Sequence, residues 1–197
     1  FNKFLLVNKF WYIRGGADRM VFLNKGLLEK NGHQVQIFGM RHSQNVIEND
    51  YFADYVDYDS SNGLWRKLKA AGKVIYNFDA KRKFDRLARD FQPDLIHFHN
   101  IYHQLSFSLV DVARRYKIPT VMTLHDYHLI NPNHNLFHDG KICEISARGK
   151  YYRCLTHDCL SGFWRSLLGM LEAYFIAWRG YKKTIDLYIA SSEFLKN

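Results

Sequence analysis

Short runs of branched and aromatic residues alternate along the chain with longer stretches whose apolar positions recur every three or four residues. Lys3–Asn8, with Leu5, Leu6 and Val7, predicts a first strand. Ala17–Asn31 predicts a helix with Met20, Leu23, Leu27 and Leu28 on one face and Gly32 as its stop. Val35–Phe38 predicts a second strand, and the helical spacing of Leu64–Phe91 is expected to break into two helices. Leu95–His99 follows the Pro93-Asp94 turn as a third strand, Leu105–Tyr116 reads as a helix, and Pro119 introduces a fourth strand at Thr120–Leu124. A long helix over Gly162–Thr184 and a fifth strand over Leu187–Ala190 complete the series.

Strands with near-continuous apolar runs, alternating with helices, predict an α/β fold: a doubly wound parallel sheet of Rossmann-like type, covered on both faces. Ligands of such sheets bind beyond the carboxyl ends of the strands. The loops there are Lys9–Gly16, Gly39–His42, Asn100–Gln104, His125–Asn135 and Ser191–Ser192.

Composition narrows the class. At 197 residues, 47% hydrophobic and with three prolines, the chain is globular, and disorder, collagen and simple coiled coil are excluded. Three cysteines are too few for a secreted disulfide scaffold, so a reducing compartment is expected. The apolar run Phe163–Trp178 is interrupted by Arg165 and Glu172 and is shorter than the ~20 residues of a spanning helix. A net charge of +9 calls for an anionic partner. Between Leu64 and Arg89 stand nine basic residues against Asp79 and Asp85. Arg66, Lys67, Lys69, Lys73, Lys81, Arg82 and Lys83, interleaved with Trp65, Tyr76 and Phe78, are expected to face an anionic membrane surface, helped by Arg179, Lys182 and Lys183. No nucleic-acid reading motif accompanies them, so no nucleic-acid partner is expected.

Candidate chemistry falls in two places. Gly15-Gly16 opens the first helix, where free N–H groups and the helix dipole favour an anion such as phosphate. The dinucleotide fingerprint, the phosphate-loop lysine and a ribose-binding carboxylate after strand two are all missing, which disfavours nicotinamide and flavin. Eight of the ten histidines and all three cysteines lie from His97 onward. A structural zinc on Cys143, Cys154 and Cys159, with His157, is one reading; free thiols in a loop insertion at about 131–162 is the other. His125, directly after strand four, is the sharper functional candidate.

Five segments in order, Arg14-Gly15-Gly16-Ala17-Asp18, Leu28–Val35, Pro93–Asn100, Pro119–Asp126 and Leu187–Ser192, resemble the N-terminal half of a glycosyltransferase family 4 enzyme of GT-B architecture. The resemblance implies retaining transfer from a nucleotide-sugar to a saccharide or lipid-linked acceptor, with no cofactor and no essential metal. It implies Gly15 and Gly16 at the donor phosphate or sugar, and His125 as the catalytic-site histidine that orients the donor sugar. Arg14, His99, Asn100, Asp126 and Tyr127 would face the acceptor. Many relatives carry cysteines where this chain has Asn131 and Ser146. The whole of residues 1–197 would be the acceptor-side domain, with the nucleotide-binding C-terminal domain absent and this half alone inactive. The cytoplasmic face of the cell membrane is the expected location. A non-catalytic Rossmann-like binding module, with a basic surface for nucleic acid or membrane, or a zinc, is the alternative.

Overall fold

The computed structural model of the protein describes residues 1–56 and 71–196. The start of the expected Leu64–Phe91 helical stretch, with Arg66, Lys67 and Lys69, lies outside them. The described residues form two compact units, Phe1–His125 with Ile185–Ile189, and Asp126–Thr184 with Ala190–Asn197.

The first unit is built on a five-stranded parallel sheet: β1 (Lys3–Val7), β2 (Gln34–Phe38), β3 (Leu95–Phe98), β4 (Thr120–Leu124) and a last strand at Leu187–Ala190, in the order β2-β1-β3-β4-last. β1 pairs in parallel with both β2 and β3, in registers Leu6↔Ile37 and Leu6↔His97. Leu5, Leu6, Val7, Phe38, Ile96, Phe98 and Met122 are wholly buried, as expected of strands covered on both faces. Carboxylates join neighbouring strands at their starts. Asp94 Oδ2 accepts from the Asn2 and Lys3 amides at 2.7 and 2.9 Å, and Asp186 Oδ2 accepts from the Thr120 amide and hydroxyl at 2.8 Å each.

Helix α1 (Gly16–Lys30) follows β1, but it turns a different face inward from the one its leucines suggest. Val21 and Asp18 are buried and Phe22 and Leu28 pack on the core, while Met20, Leu23 and Leu27 are exposed. Residues 71–75 are helical, and the chain then breaks at Tyr76-Asn77, as expected, before α2 (Phe78–Phe91). Asn77 caps α2, its side chain accepting from the Ala80 amide at 3.1 Å. Helix α3 (Ser108–Tyr116) starts three residues later than its apolar spacing predicts. Ser106 sits at φ 63° and its hydroxyl accepts the Asn77 amide, so the chain ahead of α3 ties to the α2 cap.

The second unit holds features with no apolar period to reveal them. These are a two-residue hairpin pairing β5 (Phe137–His138) with β6 (Lys141–Ile142), and the short helix α4 (Tyr152–Thr156). The insertion expected at about 131–162 lies within this unit. The expected helix to Thr184 stops at Trp178 as α5 (Phe163–Trp178), because Gly180 takes φ 68° and a single 3-10 turn follows. The strand at Leu187–Ala190 is β7 in chain order and α6 (Glu193–Lys196) closes the described chain.

Gly39, just past β2, is packed so tightly that a Cβ would lie 2.6 Å from Trp11 Cδ1 and 2.9 Å from the Asn8 carbonyl oxygen. Trp11 is wholly buried and donates its indole N–H to the Phe38 carbonyl at 3.0 Å, so it cannot yield. Gly39→Ala is expected to cost about 1–3 kcal/mol of stability, read as a lower urea midpoint at unchanged slope.

Candidate functional site

The strand order reverses direction between β1 and β3, since the chain moves to β2 on one side of β1 and to β3, β4 and β7 on the other. In parallel sheets that point leaves a crevice beyond the strand ends. The backbone ladder continues into it. His99 N–H donates to Val7 at 2.9 Å, Asn8 N–H to Phe38 at 3.1 Å and Lys9 N–H to Asn100 at 3.0 Å. The loops after β1, β2 and β3 are thus fixed to one another before any side chain acts.

Asn8 and Asp18 then shape the glycine turn. Asn8 is wholly buried, and its amide donates to the Phe10 carbonyl at 2.7 Å and to Asp18 Oδ1 at 3.0 Å. Asp18, 2% exposed, in turn accepts from the Arg14 amide at 3.2 Å and from the Arg14 guanidinium at 3.1 and 3.3 Å. A buried carboxylate needs such a partner, and the pairing holds Arg14 and the turn after it against the start of α1. Arg14 also lies over the Phe10 ring, 4.3 Å from its centroid. Gly15 and Gly16 are exposed, in contrast to Gly39. Neither has any protein atom within 4 Å of a built Cβ, and Gly15 caps α1 without a side chain. A helix start exposed in this way and lacking a side-chain cap is the kind of place where backbone N–H groups can meet an anion.

Two strands away on the same carboxyl edge stands His125, roughly 10 Å across from β1 by strand spacing. Its Nε2 lies 3.1 Å from Nδ1 of His99, and the two rings stack at 23° with centroids 5.4 Å apart. His99 is only 1% exposed, so it backs His125 where the resemblance implied an acceptor contact. Behind both, His97 Nε2 pairs with Thr123 Oγ1 at 2.8 Å and its ring meets that of His99 at 4.2 Å. Burial, reinforced by the neighbouring imidazoles, lowers the His97 pKa to about 4 and that of His99 to about 2. Both rings are neutral at pH 7. Among the described residues, three buried side-chain atoms in these loops make no hydrogen bond: Asn8 Oδ1 after β1, and His99 Nε2 and Gln104 Oε1 after β3. Such atoms call for a ligand or an ordered water.

The loop after β2 adds a cavity of about 550 Å³ lined by Arg41, His42, Ser43, Glu48 and Tyr55. Tyr12 stacks on His42 at 15° and 5.0 Å, which brings an aromatic wall to this end of the edge. Sequence reasoning flagged the loop but not this lining, and it missed Asn8, Asp18 and Thr123. The His97-x-His99 spacing was the one available signal for the imidazole cluster.

The residues that follow His125 are held by local contacts. Asp126 and Tyr127 belong to the second unit, in a tight turn where Asp126 Oδ1 accepts the His128 amide at 3.0 Å and Tyr127 N–H donates to His134 at 3.0 Å. In that unit Cys143 and Cys159 are 3.7 Å apart at sulfur, yet the three thiols do not converge within the 4.8 Å a common ion would need, as judged among the described residues. Burial pushes the Cys154 thiol up to about 11 and that of Cys159 up to about 12. Asn131 and Ser146, where many relatives have cysteines, are buried and hydrogen-bonded to each other at 2.7 Å. A polar pair thus replaces two potential metal ligands.

The cations of α2 also differ from expectation. Lys81 faces Asp111 at 3.7 Å, Arg82 faces Asp79 at 3.3 Å, and Lys83 pairs with both Asp54 and Asp79. Arg86 and Arg89 pair with Asp90 and Asp85. Each described cation of this helix therefore has an aspartate beside it, which cancels most of the field a membrane surface would sense.

The family described as Glycosyltransferase Family 4 matches the chain over residues 14–197. The chain is also similar to an uncharacterized 42.6 kDa protein in the cps region of Klebsiella pneumoniae, 25% identical over 207 residues, covering 98% of this chain and 49% of that protein. It spans about half the length of that curated relative.

The imidazole cluster makes stability depend on pH. In the unfolded chain His97 and His99 regain the ordinary value of 6.5, so below it the unfolded state binds more protons than the folded one. Stability is complete above pH 6.5 and falls as pH drops towards 4, by about 3 kcal/mol for His97 alone. Urea midpoints between pH 7 and 4 should fall along this course, and His97→Gln should flatten it; an unchanged slope in that variant would contradict the assignment.

Proposed function

The chain belongs to glycosyltransferase family 4, and we propose that it is the acceptor-side half of a retaining transferase that moves a sugar from a nucleotide-sugar to a saccharide or lipid-linked acceptor. The similarity to a cps-region protein supports a place in polysaccharide or glycolipid assembly, and a cytoplasmic location, peripheral on the membrane, is part of the proposal on the resemblance alone. The nucleotide-sugar is a co-substrate, and the reading includes no cofactor and no metal. The observation that carries it is the pairing, on one carboxyl edge, of an exposed glycine helix start at Gly15-Gly16 with a half-buried imidazole, His125, backed by a buried one.

Transfer of a glycosyl group places growing negative charge on the departing diphosphate while the sugar carbon becomes electron-poor. Fixed N–H dipoles aimed at the phosphate stabilise that charge without reorganising. Gly15 and Gly16 supply such dipoles, and their missing side chains let phosphate oxygens approach. His125 is given the role of hydrogen-bonding a donor-sugar hydroxyl, and His99 that of fixing its ring plane. Neither is given a covalent role. Arg14 and Asn100 are given the role of acceptor contacts, and the aromatic wall of Tyr12, His42 and Tyr55 suits the apolar face of a sugar ring. Asp126 and Tyr127 stay proposed acceptor contacts on the resemblance alone.

The substitutions separate stability from activity. Gly16→Ala meets open space and a helix-compatible backbone, so its melting temperature should stay at or above that of the parent. In the complete protein, nucleoside diphosphate release from a panel of nucleotide-sugars should fall about tenfold in Gly16→Ala and about 100-fold or more in His125→Ala. Turnover within about threefold of the parent for His125→Ala would remove the site assignment.

A further inference from the structure

Helix α5 of the second unit is built with its large apolar side chains outward. Its buried residues are Ser166, Gly169, Glu172, Ala173 and Ile176, mostly small or polar. Trp164 and Trp178 are 76% and 78% exposed, with Phe163, Leu171 and Tyr174 between 40% and 57%. Trp164, Leu171 and Trp178 are seven residues apart, so they fall on one stripe of the helix with a drift of about 20° per step. A globular helix ordinarily shows the opposite pattern.

The helix cannot roll to hide this stripe. Ser166 Oγ donates to Asp158 at 2.8 Å and accepts the Leu160 amide at 3.2 Å, while His128 Nε2 lies 3.2 Å from the buried Glu172 carboxylate. At Gly169 a Cβ would come 2.7 Å from the Leu160 Cδ1 methyl and 3.6 Å from Pro132 Cβ, so the inner face is closely packed there. Rotation would break these polar contacts and drive indoles into a space fitted to glycine and serine.

We propose that this face of α5 docks on the surface of a bilayer containing anionic phospholipid. Charge selects the occupant. Between Phe163 and Thr184 the chain carries Arg165, Arg179, Lys182 and Lys183, and its single carboxylate, Glu172, is buried. Each end of the stripe is a Trp-Arg pair, Trp164-Arg165 and Trp178-Arg179, separated by about 21 Å of helix. Indole rings with guanidinium groups beside them suit the headgroup boundary, where the ring is half in apolar surroundings and the cation meets lipid phosphate. The helix would lie flat; no described helix is long and apolar enough to cross a membrane. This contact is separate from the one expected of Leu64–Arg89, part of which lies outside the described residues. The proposal stands apart from the transfer chemistry and is read without any sugar donor.

Flotation of the chain with vesicles of phosphatidylglycerol and phosphatidylcholine, against phosphatidylcholine alone, tests it. Binding to the anionic vesicles is expected, weakened by salt, and reduced about tenfold in the double variant Trp164→Ser/Trp178→Ser. Val46→Ser, at a 72% exposed site of the other unit, should bind as the parent does. The thermal midpoint of the double variant should be unchanged, since both indoles are mostly exposed. The proposal is overturned if the parent does not float, if the double variant floats equally well, or if sedimentation shows a self-association that the same substitutions abolish.

Discussion

Parallel pairing of β1 with β2 on one side and β3 on the other is the constraint from which the rest follows. It sends every strand end of the first unit to one edge and leaves a crevice where the order reverses. The ladder then runs on past the strands, through the amides of Asn8, Lys9 and His99, so that the three loops share one rigid floor. On that floor two buried polar groups do the fine placement. Asp18 holds Arg14 and with it the glycine turn; His99 holds His125. Each lies under a more exposed residue that can meet a ligand, and each would be costly to leave buried without the partner it has.

Strand positions were readable because a covered parallel strand needs a continuous apolar run and Pro or Gly at its edge, as at Pro93, Pro119 and Gly39. The rim residues were readable for the same reason: topology alone brings Gly15, Gly16, Asn100 and His125 to one edge. Helix faces were less legible. In α1 the larger residues Met20, Leu23 and Leu27 mark the wrong side, because the inward face includes Asp18, recruited to hold Arg14. In α5 the apolar run was read only as a helix too short and too interrupted to span a membrane, whereas its direction is set by Ser166, Gly169 and Glu172. In the basic helix α2 the partners Asp54 and Asp111 could not be read ahead, since they are remote in sequence.

The imidazole cluster joins packing to chemistry. Three rings stacked between β3 and β4 exclude water well enough to keep His97 and His99 neutral. A neutral ring can orient a neighbour by one hydrogen bond without adding a positive charge beside it. In the cysteine group of the second unit, Cys154 and Cys159 are buried and Cys143 half-buried, near a bonded Asn131–Ser146 pair.

The account depends on the glycine turn and His125 acting on one molecule. A crystal structure of the complete protein with a non-hydrolysable nucleotide-sugar tests this most directly. A diphosphate oxygen within hydrogen-bonding reach, ~3 Å, of the Gly15 or Gly16 amide, with a sugar hydroxyl on His125, is the predicted result. A donor bound away from this edge, with His125 untouched, would contradict it.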